Sequence, residues 1–445
     1  MCTPRRAECS PNTGSEMNPT VGPTPFSATK PRESAMIPDK SLKKQLRGAL
    51  RAGHIRAYLL IAPLALYLLV TFIVPIGVML YTSVHDPLIV GNMPNTIREL
   101  RHWTPVRDLA PPPIAFAALA RDLKAADERQ TASEVASRLN FESGGLRSVL
   151  MHAARAVGRS DGGTEDWQSK IIQADPAWGT QEPWVVLKGL SHVYTPGYYL
   201  AALDLTYRPG SGLQREPQSS RIYVDVFART FGIGLLVTAC CLVLGYPVAF
   251  LLANVKAKTG NLLLIFVLLP FWTSLLVRTT AWIVLLQQEG VVNKLLMSLG
   301  VISTPLALVY NRTGVVITMT HILLPFMILP LYSVMKSIPS NLTRAARSLG
   351  ASPTRSFWKI YVPLSLPGVS AGVLLVFILS IGYYITPALV GGAADQMVSY
   401  FVADNLSRSL NWGLAAALGG ILLTTVLVLY VVYQRFVGVE NVKLA

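Results

Sequence analysis

Residues 230–253 read TFGIGLLVTACCLVLGYPVAFLLA and contain no charged side chain. About 20 consecutive apolar residues make a helix long enough to cross the hydrocarbon layer of a membrane. The run is far longer than an ordinary strand, and it lacks the alternation of apolar and polar residues that marks a strand of a membrane barrel. This stretch therefore predicts a membrane-spanning helix.

Similar apolar runs recur along the 445-residue chain, in which 51% of the residues are hydrophobic and 14% are charged. Together they predict six spans, at about 58–81, 228–253, 262–286, 314–335, 368–390 and 413–434. The predicted fold class is an all-α polytopic membrane protein with six transmembrane helices.

Basic residues are concentrated in three segments next to predicted spans. Residues 40–56, 254–260 and 336–367 contain lysine and arginine but no acid, whereas the links 287–312 and 391–412 are poorer in bases. Because lysine and arginine accumulate on the cytoplasmic side of a membrane, both the N and C termini are predicted to be cytoplasmic. The net charge of +15 then belongs to membrane edges, and no nucleic-acid partner is expected.

Five regions follow from this pattern. Residues 1–39, rich in Pro, Ser and Thr, are predicted to be a disordered tail, and residues 40–81 a basic cytoplasmic segment with the first span. Residues 82–221 form a long extracytoplasmic insert between the first two spans. Residues 222–437 hold the other five spans, and residues 438–445 form a cytoplasmic tail.

The insert is predicted to be a mostly helical domain. It contains fifteen basic and fifteen acidic residues, so it is locally neutral, and AFAALARDLKAADERQTASEVASRLN within it has helical periodicity. A loop of that length without structure would be unusual. Two roles remain open, a packed cap and a docking surface for a partner. No catalytic constellation stands out.

The predicted spans contain few ionisable side chains. Between residues 226 and 435 the only acids are Glu289, Asp395 and Asp404, all in links on the predicted outer side. No carboxylate is therefore available inside a span as a proton or sodium relay, which argues against a secondary transporter. His321 is open to a packing role or a relay role. The four cysteines show neither a disulfide framework nor a metal-ligand spacing, so no metal site and no catalytic residue are predicted.

Aromatic and cationic side chains are the candidates for a translocation path. Arg278 lies in PFWTSLLVRTTAW between Trp272 and Trp282. It either snorkels to the outer interface or lines the path, and the tryptophans suit either place. Tyr383 and Tyr384 are further candidates because an aromatic ring holds a cation by its face, although packing also explains tyrosines.

Residues 341–368, NLTRAARSLGASPTRSFWKIYVPLSLPG, predict two short helices in a cytoplasmic link. The apolar face of the first consists of Leu342, Ala345, Ala346 and Leu349. Ser340 or Asn341 is expected to cap its start, and Gly350 suits the left-handed position after its end. A second helix is predicted to begin at Ser352 and Pro353 and to end at Pro363. A helix resting on anionic lipid would also explain the bases, but it would not require this pair of alanines and the glycine.

This spacing resembles the cytoplasmic coupling loop of permease subunits of binding-protein-dependent ABC importers. The family pattern is E-A-A-x-x-x-G, followed after a spacer by an apolar residue and L-P. The matching positions are Ala345, Ala346, Gly350, Ile360 and Pro363; Val362 replaces the leucine, and Arg344 stands at the position of the glutamate. LLPFWTSLLVRTTAWIVLL, HILLPFMILPLYSVMKSIP and LSIGYYITPALVGG resemble the spermidine/putrescine branch of the family.

The resemblance implies a multi-pass permease subunit of a bacterial inner membrane, with residues 336–367 as its coupling loop. The loop would insert into a cleft of a cytoplasmic ATPase dimer, which uses the ATP, so the chain itself needs no cofactor. No G-x-x-x-x-G-K-[ST] loop occurs, and the chain is not expected to be an enzyme. The other implied partners are a second, homologous permease in a heterodimer, an extracytoplasmic solute-binding protein and the lipid bilayer.

The implied cargo is a polyamine, spermidine or putrescine. The alternatives are the same importer class with another small organic cation, an amino-phosphonate or an opine-like solute, and a secondary transporter or channel that works without an ATPase. A membrane-anchored scaffold built around residues 82–221 would need only one span, which fits the six apolar runs poorly.

Overall fold

A computed structural model describes residues 58–105, 110–159, 166–208, 212–218 and 221–437. The predicted tail at 1–39, the basic segment up to residue 57 and the predicted tail at 438–445 lie outside the described residues. The chain divides into two units, residues 1–69 and residues 70–445. In the first unit, residues 58–68 are helical with exposed side chains.

The second unit begins with helix α1 (Val74–Thr82), preceded by a π-helical turn at Leu69–Ile73. Eight helices follow: α2 (Leu88–Asn92), α3 (Pro94–His102), α4 (Pro113–Glu128), α5 (Ala132–Glu142), α6 (Leu146–Gly158), α7 (Trp167–Ala174), α8 (Glu182–Gly189) and α9 (Gly197–Ala202). A 3-10 turn, Pro176–Gly179, lies between α7 and α8. Strands β1 (Leu205–Arg208) and β2 (Gly212–Arg215) then pair antiparallel, with Leu205 opposite Arg215.

The rest of the chain is helical. The helices are α10 (Tyr223–Asn254), α11 (Ala257–Leu268), α12 (Leu275–Leu286), α13 (Val291–Ser298), α14 (Arg312–Ser337), α15 (Ser340–Ser348), α16 (Pro353–Gly382), α17 (Ile385–Val390), α18 (Val398–Ser407) and α19 (Trp412–Val437). Helix α16 includes a π-helical turn at Phe357–Tyr361. Short 3-10 turns occur at Leu269–Trp272 and Ala393–Asp395.

Five helical segments are long and apolar enough to cross a membrane: Tyr58–Thr82, Tyr223–Asn254, Arg312–Ser337, Pro353–Gly382 and Trp412–Arg435. A sixth is obtained if the bent pair Ala257–Trp272 and Leu275–Ser298 counts as one span. The prediction of a helical membrane protein is confirmed at this level.

The third predicted span, 262–286, is not a straight helix. Its two halves meet at an angle of 96°, at a break after Trp272. Pro270 removes a backbone donor in the 3-10 turn before the break, and the hydroxyl of Ser274 accepts a hydrogen bond from Val277 N at 3.2 Å, which caps the helix that follows. An apolar run does not reveal such a break, because hydropathy sums composition and ignores capping.

The fifth predicted span, 368–390, is shifted along the chain. The helix begins at Pro353 and ends at Gly382, and Tyr383 is extended, with φ −70° and ψ 131°. Residues 385–390 form the separate helix α17. The prediction was wrong at both ends, because the helix already begins within the basic segment at Pro353 and because the apolar composition continues through the backbone turn at Tyr383.

The insert has its own hydrophobic core. Trp178 and Trp184 are fully buried at its centre, and the ring of Trp184 packs edge-on against Phe116 with centroids 4.7 Å apart. Both indoles are satisfied, since Trp178 Nε1 donates to Val149 O at 3.1 Å and Trp184 Nε1 to Trp178 O at 3.0 Å. Helices α2 to α8 supply the rest of this core. The segment therefore holds a packed, mostly helical body, as its periodicity predicted.

The apolar bundle is centred on α14. This helix packs between α10 and α16, and its buried side chains Met319, Leu323 and Met327 lie in one core with Val237 of α10 and Val376 of α16. Dispersion and small-residue contacts hold helices together in lipid, because the lipid tails are as apolar as the side chains.

Helix α9 joins the insert to the last span. Tyr198 and Tyr199 of α9 pack on α19 at Gly413 and Gly420, where any side chain would meet the two tyrosine rings. Just after α9, the carboxylate of Asp204 accepts hydrogen bonds from the backbone N–H groups of Ile222, Tyr223 and Val224 at 2.8–3.1 Å and caps α10. These two contacts attach the insert directly to α19 and α10.

Candidate functional site

The predicted coupling loop consists of α15, a glycine corner and the start of α16. Gly350 has φ +88°, and Ala351 N donates to Ala346 O while Gly350 N donates to Arg347 O, both at 3.0 Å. These two bonds define a Schellman motif. Ser352 Oγ accepts from Arg355 N at 3.3 Å and Pro353 is the first helical residue. The predicted glycine corner and the predicted start of the second helix are confirmed.

Two expectations for this loop were wrong. The N-cap of α15 is Pro339, and neither Ser340 nor Asn341 caps it with a side chain. Pro363 does not end the second helix, which continues to Gly382. A proline ring clashes with the carbonyl four residues earlier in a regular α-helix. The wider π-helical turn Phe357–Tyr361 directly precedes Pro363 and gives the ring room.

The four residues of the predicted apolar face have different environments. Ala346 is 8% exposed and its side chain is packed inside the corner of the loop, whereas the side chain of Leu349 is 89% exposed. Ala345 and Leu342 are exposed beside Leu349. Arg344 at the family's glutamate position is exposed as well, Ile360 is partly buried and Pro363 is exposed. An apolar patch of Leu342, Ala345 and Leu349, rimmed by arginines, is thus open to a partner.

An aromatic cluster connects the coupling loop to α10. The ring of Tyr361, in the π-helical turn, packs edge-on against Phe250 with centroids 5.0 Å apart, and Phe357 packs on Phe250 at 5.5 Å. Tyr246 Oη and Ser365 Oγ are 2.9 Å apart and share a hydrogen bond. These contacts join the coupling loop directly to the body of α10.

A polar site lies where α12 meets α14. Trp282 Nε1 donates to His321 Nδ1 at 3.0 Å, so the neutral ring of His321 carries its proton on Nε2. Arg278 is one helical turn before Trp282, on the same face of α12. Nε and Nη1 of Arg278 are buried, and no acceptor among the described residues bonds to them.

The structure brings together only some of the predicted path residues. Arg278 and Trp282 lie one helical turn apart on α12, and Tyr383 is partly buried against the core of the bundle. Trp272 is 89% exposed at the break between α11 and α12, and Tyr384 is also exposed. Neither of these two contacts the polar site in the described part of the chain.

Several contacts of these sites have no signal in the sequence. His321 and Trp282 are 39 residues apart, and so are not paired by any local pattern. The hydroxyls of Thr279 and Thr386, 3.3 Å apart, hold α12 against α17 in the same way. Ser274 is different, since a serine before an apolar run is an N-cap signal that sequence reasoning can find.

A cavity of about 730 Å³ lies between the insert and the start of α19. Its lining includes Arg138, Glu142, Glu182 and Tyr198 from the insert and Asn411 from before α19. Burial works against the charge of Arg138, but Glu142, Tyr198 and Asp86 outweigh it and hold the pKa of the guanidinium above its usual value. For Tyr198, burial disfavours the phenolate and raises the pKa of the phenol. Within the described residues, no group of His, Cys, Asp and Glu is arranged to hold a metal ion.

Residues 242–438 match the family model of the binding-protein-dependent transport system inner membrane component. The chain is similar to the spermidine/putrescine transport system permease protein PotB of Escherichia coli (strain K12), with 36% identity over 222 residues, 50% of this chain and 81% of that protein. It is 32% identical to PotB of Haemophilus influenzae (strain ATCC 51907 / DSM 11121 / KW20 / Rd), over 54% of this chain and 88% of the relative.

Among solved structures, a bacterial alginate ABC transporter in complex with an alginate pentasaccharide-bound periplasmic protein is similar to this chain. The identity is 15% and the TM-score is 0.42, over 49% of this chain and 80% of that chain.

Proposed function

This chain belongs to the family of inner-membrane components of binding-protein-dependent transport systems, and we propose that it passes a polyamine, spermidine or putrescine, into the cytoplasm as the permease subunit of an ATP-driven importer. The single observation that carries the cargo is the 36% identity over 81% of a relative named as a spermidine/putrescine permease. The chain is a multi-pass protein of the bacterial inner membrane and does no bond chemistry itself.

The proposed topology has six spans and both termini in the cytoplasm. It counts the bent pair Ala257–Trp272 and Leu275–Ser298 as one span, and places the insert, residues 82–221, outside the cytoplasm. The acid-free basic segments 254–260 and 336–367 support this orientation. Residues 222–437 are then the permease domain.

The proposed contact with the ATPase dimer is the patch of Leu342, Ala345 and Leu349. These side chains are exposed on a short helix whose two ends are held by the Schellman motif and by α14. ATP binding would close the two ATPases, draw the coupling loops of two permease subunits together, and tilt α10 and α16 through the aromatic cluster around Phe250. That rigid-body motion would turn the path between its outward and inward openings.

The proposed path passes the site formed by Arg278, Trp282 and Tyr383. The aromatic rings offer faces to an ammonium group. The two acids of the described spans, Asp225 and Glu289, are exposed at helix ends, so no buried carboxylate there would hold a polycation tightly. Cargo selection then belongs to the extracytoplasmic binding protein, for which the insert and its cavity of about 730 Å³ are the proposed docking region.

Uptake into proteoliposomes tests the function. The vesicles contain this chain with the second permease and the ATPase from the same membrane, ATP inside, and the binding protein with labelled spermidine outside. We expect uptake that needs both ATP and the binding protein. Uptake without ATP would instead indicate a secondary transporter. Uptake of an amino-phosphonate, an opine-like solute or another organic cation in place of spermidine would keep the importer and change its cargo.

A further inference from the structure

The cavity of about 730 Å³ between the insert and the start of α19 has the size of a ligand site. Pockets that bind small organic molecules typically have volumes of about 300–1,000 Å³. The buried side chains of Asn411 and Leu414 line one part of the cavity, and the exposed side chains of Phe141, Glu182 and Tyr207 line another. A solute in the surrounding water can therefore enter it.

Acidic side chains dominate the charge of the lining. Among the described residues, the charged groups of the lining are Arg138, Glu142, Glu182 and Glu216. The charge of Arg138 is compensated, because its Nε donates to Asp86 at 2.5 Å and its Nη1 to Glu142 at 2.9 Å. Glu216 lies beside Arg221, whose Nε donates to the carbonyl oxygen of Glu216. The lining is still net negative and attracts a cation.

The carboxylates of Glu142 and Glu182 can accept a further hydrogen bond. Oε1 of Glu142 accepts from Arg138, and Oε1 of Glu182 accepts from Ser143 Oγ at 2.7 Å. In the described part of the chain, the hydrogen bonds of both side chains are made through Oε1, which leaves both Oε2 atoms available. The side chain of Glu142 is 31% exposed, and Glu182 is exposed. Both carboxylates are thus within reach of a donor that enters the cavity.

Aromatic rings line the cavity together with these carboxylates. Phe141 is 40% exposed and Tyr207, in β1, is 62% exposed, so their rings are open to a ligand. Tyr198 is different, because the guanidinium of Arg138 already lies 4.7 Å from the centre of its ring. The face of an aromatic ring attracts an ammonium group. Carboxylates beside open rings form a lining suited to an organic cation.

We infer that this cavity binds a small aliphatic polycation, a compound with two or more ammonium groups joined by methylene chains. One ammonium group would pair with Glu142 and Glu182, and another would lie against the rings of Phe141 and Tyr207. The site belongs to the insert and is separate from the polar site at Arg278. The inference rests on the proposed function for the choice of spermidine as the probe.

Equilibrium dialysis of labelled spermidine tests the carboxylates. The complete transporter is held in lipid nanodiscs without nucleotide and without the binding protein. We expect saturable binding that Glu182→Gln weakens about tenfold, because a charge-assisted hydrogen bond is lost. Glu134→Gln is the matched control and should bind normally. Like Glu182, Glu134 is an exposed acid in the first turn of a helix, but it does not line the cavity.

The same dialysis tests the aromatic rings. We expect Tyr207→Ala to weaken spermidine binding several-fold, because it removes a ring face. Tyr194→Ala is its control, since Tyr194 is 65% exposed and lies outside the lining. Resistance of the insert to protease shows whether each variant keeps its fold.

Three results would overturn the inference. The first is equal binding of spermidine by the natural chain and by Glu182→Gln. The second is displacement of spermidine by Mg²⁺ at equal charge concentration, which would mean that diffuse charge alone attracts the amine. The third is no binding of spermidine, together with weaker capture of the binding protein by Glu182→Gln. A basic segment of that protein would then fill the cavity.

This inference and the proposed function fail in different ways. ATP-driven uptake of spermidine by a transporter whose cavity binds no spermidine would overturn this inference alone. Binding of spermidine that depends on Glu182, in a transporter that does not take spermidine up, would overturn the proposed cargo and leave the cation site standing.

Discussion

Ala345 and Ala346 are neighbours in sequence with opposite environments. Ala346 is buried in the corner of the coupling loop, and Ala345 is exposed beside Leu349. A carboxylate at position 346 would be forced into a packed corner without a partner. A carboxylate at position 345 would stay in solvent and meet only an incoming protein.

We therefore expect Ala345→Asp and Ala346→Asp to lose the ATPase for different reasons. The Ala345→Asp loop keeps its protease resistance and loses binding, whereas the Ala346→Asp loop loses both. Co-purification of the ATPase and limited proteolysis of the loop measure the two effects. Ala345→Ser, which keeps the size and adds no charge, should bind normally. Normal ATPase binding by Ala345→Asp would show that the exposed patch is not the contact.

Gly350 is the second decisive residue of the loop. A side chain at φ +88° costs about 1 kcal/mol, and no atom lies near the Cβ that alanine would add, so the cost is conformational. We expect Gly350→Ala to loosen the loop and to weaken ATPase binding several-fold. Gly300→Ala is the matched control, since Gly300 has φ +67° and equally open surroundings. It should lower the stability by a similar amount and leave ATPase binding unchanged.

At the scale of elements, two irregularities distinguish the spans from straight apolar helices. They are the π-helical turn Phe357–Tyr361 and the break after Trp272. Local chemistry predicted the glycine corner and the cap at Ser352 because a left-handed turn and an N-cap depend on neighbouring residues only. The prediction that the helix ends at Pro363 was wrong, because the wider π-helical turn before Pro363 accommodates the proline ring. The Trp282–His321 bond was out of reach, since it joins helices that only tertiary packing brings together.

The aromatic cluster between α10 and the π-helical turn should transmit the motion of the loop. Phe250 is partly buried, so we expect Phe250→Ala to cost less than the about 3–5 kcal/mol of a fully buried phenylalanine and to uncouple the transporter, with ATP hydrolysis retained and uptake reduced. Parallel assays of both rates measure the effect. Phe266→Ala, at an exposed position of α11, is the control. An equal fall in hydrolysis and uptake would mean that the cluster only stabilises the fold.

At the scale of the whole molecule, the insert is fixed to the last span at Gly413. The six apolar runs and the family could be predicted from the sequence, because long apolar segments and the A-A-x-x-x-G spacing are local patterns. The packing of Tyr198 and Tyr199 on α19 could not be predicted, since more than 200 residues separate the partners.

A methyl group at Gly413 would overlap the buried ring of Tyr198. We expect Gly413→Ala to destabilise the attachment of the insert by about 1–3 kcal/mol and to expose the insert to protease. Gly419→Ala, with no atom within 4 Å of the added carbon, should be neutral or stabilising. Equal protease resistance of the two variants would contradict a tight seat.

Coupling of this chain to an ATPase through the exposed patch of α15 can be measured by affinity purification from the native membrane in mild detergent with quantitative mass spectrometry. We expect a stoichiometric ATPase with the natural chain and its loss from Ala345→Asp, while the second permease stays bound. A chain that purifies without an ATPase, or an Ala345→Asp variant that retains it in full, would show that α15 is not the ATPase contact.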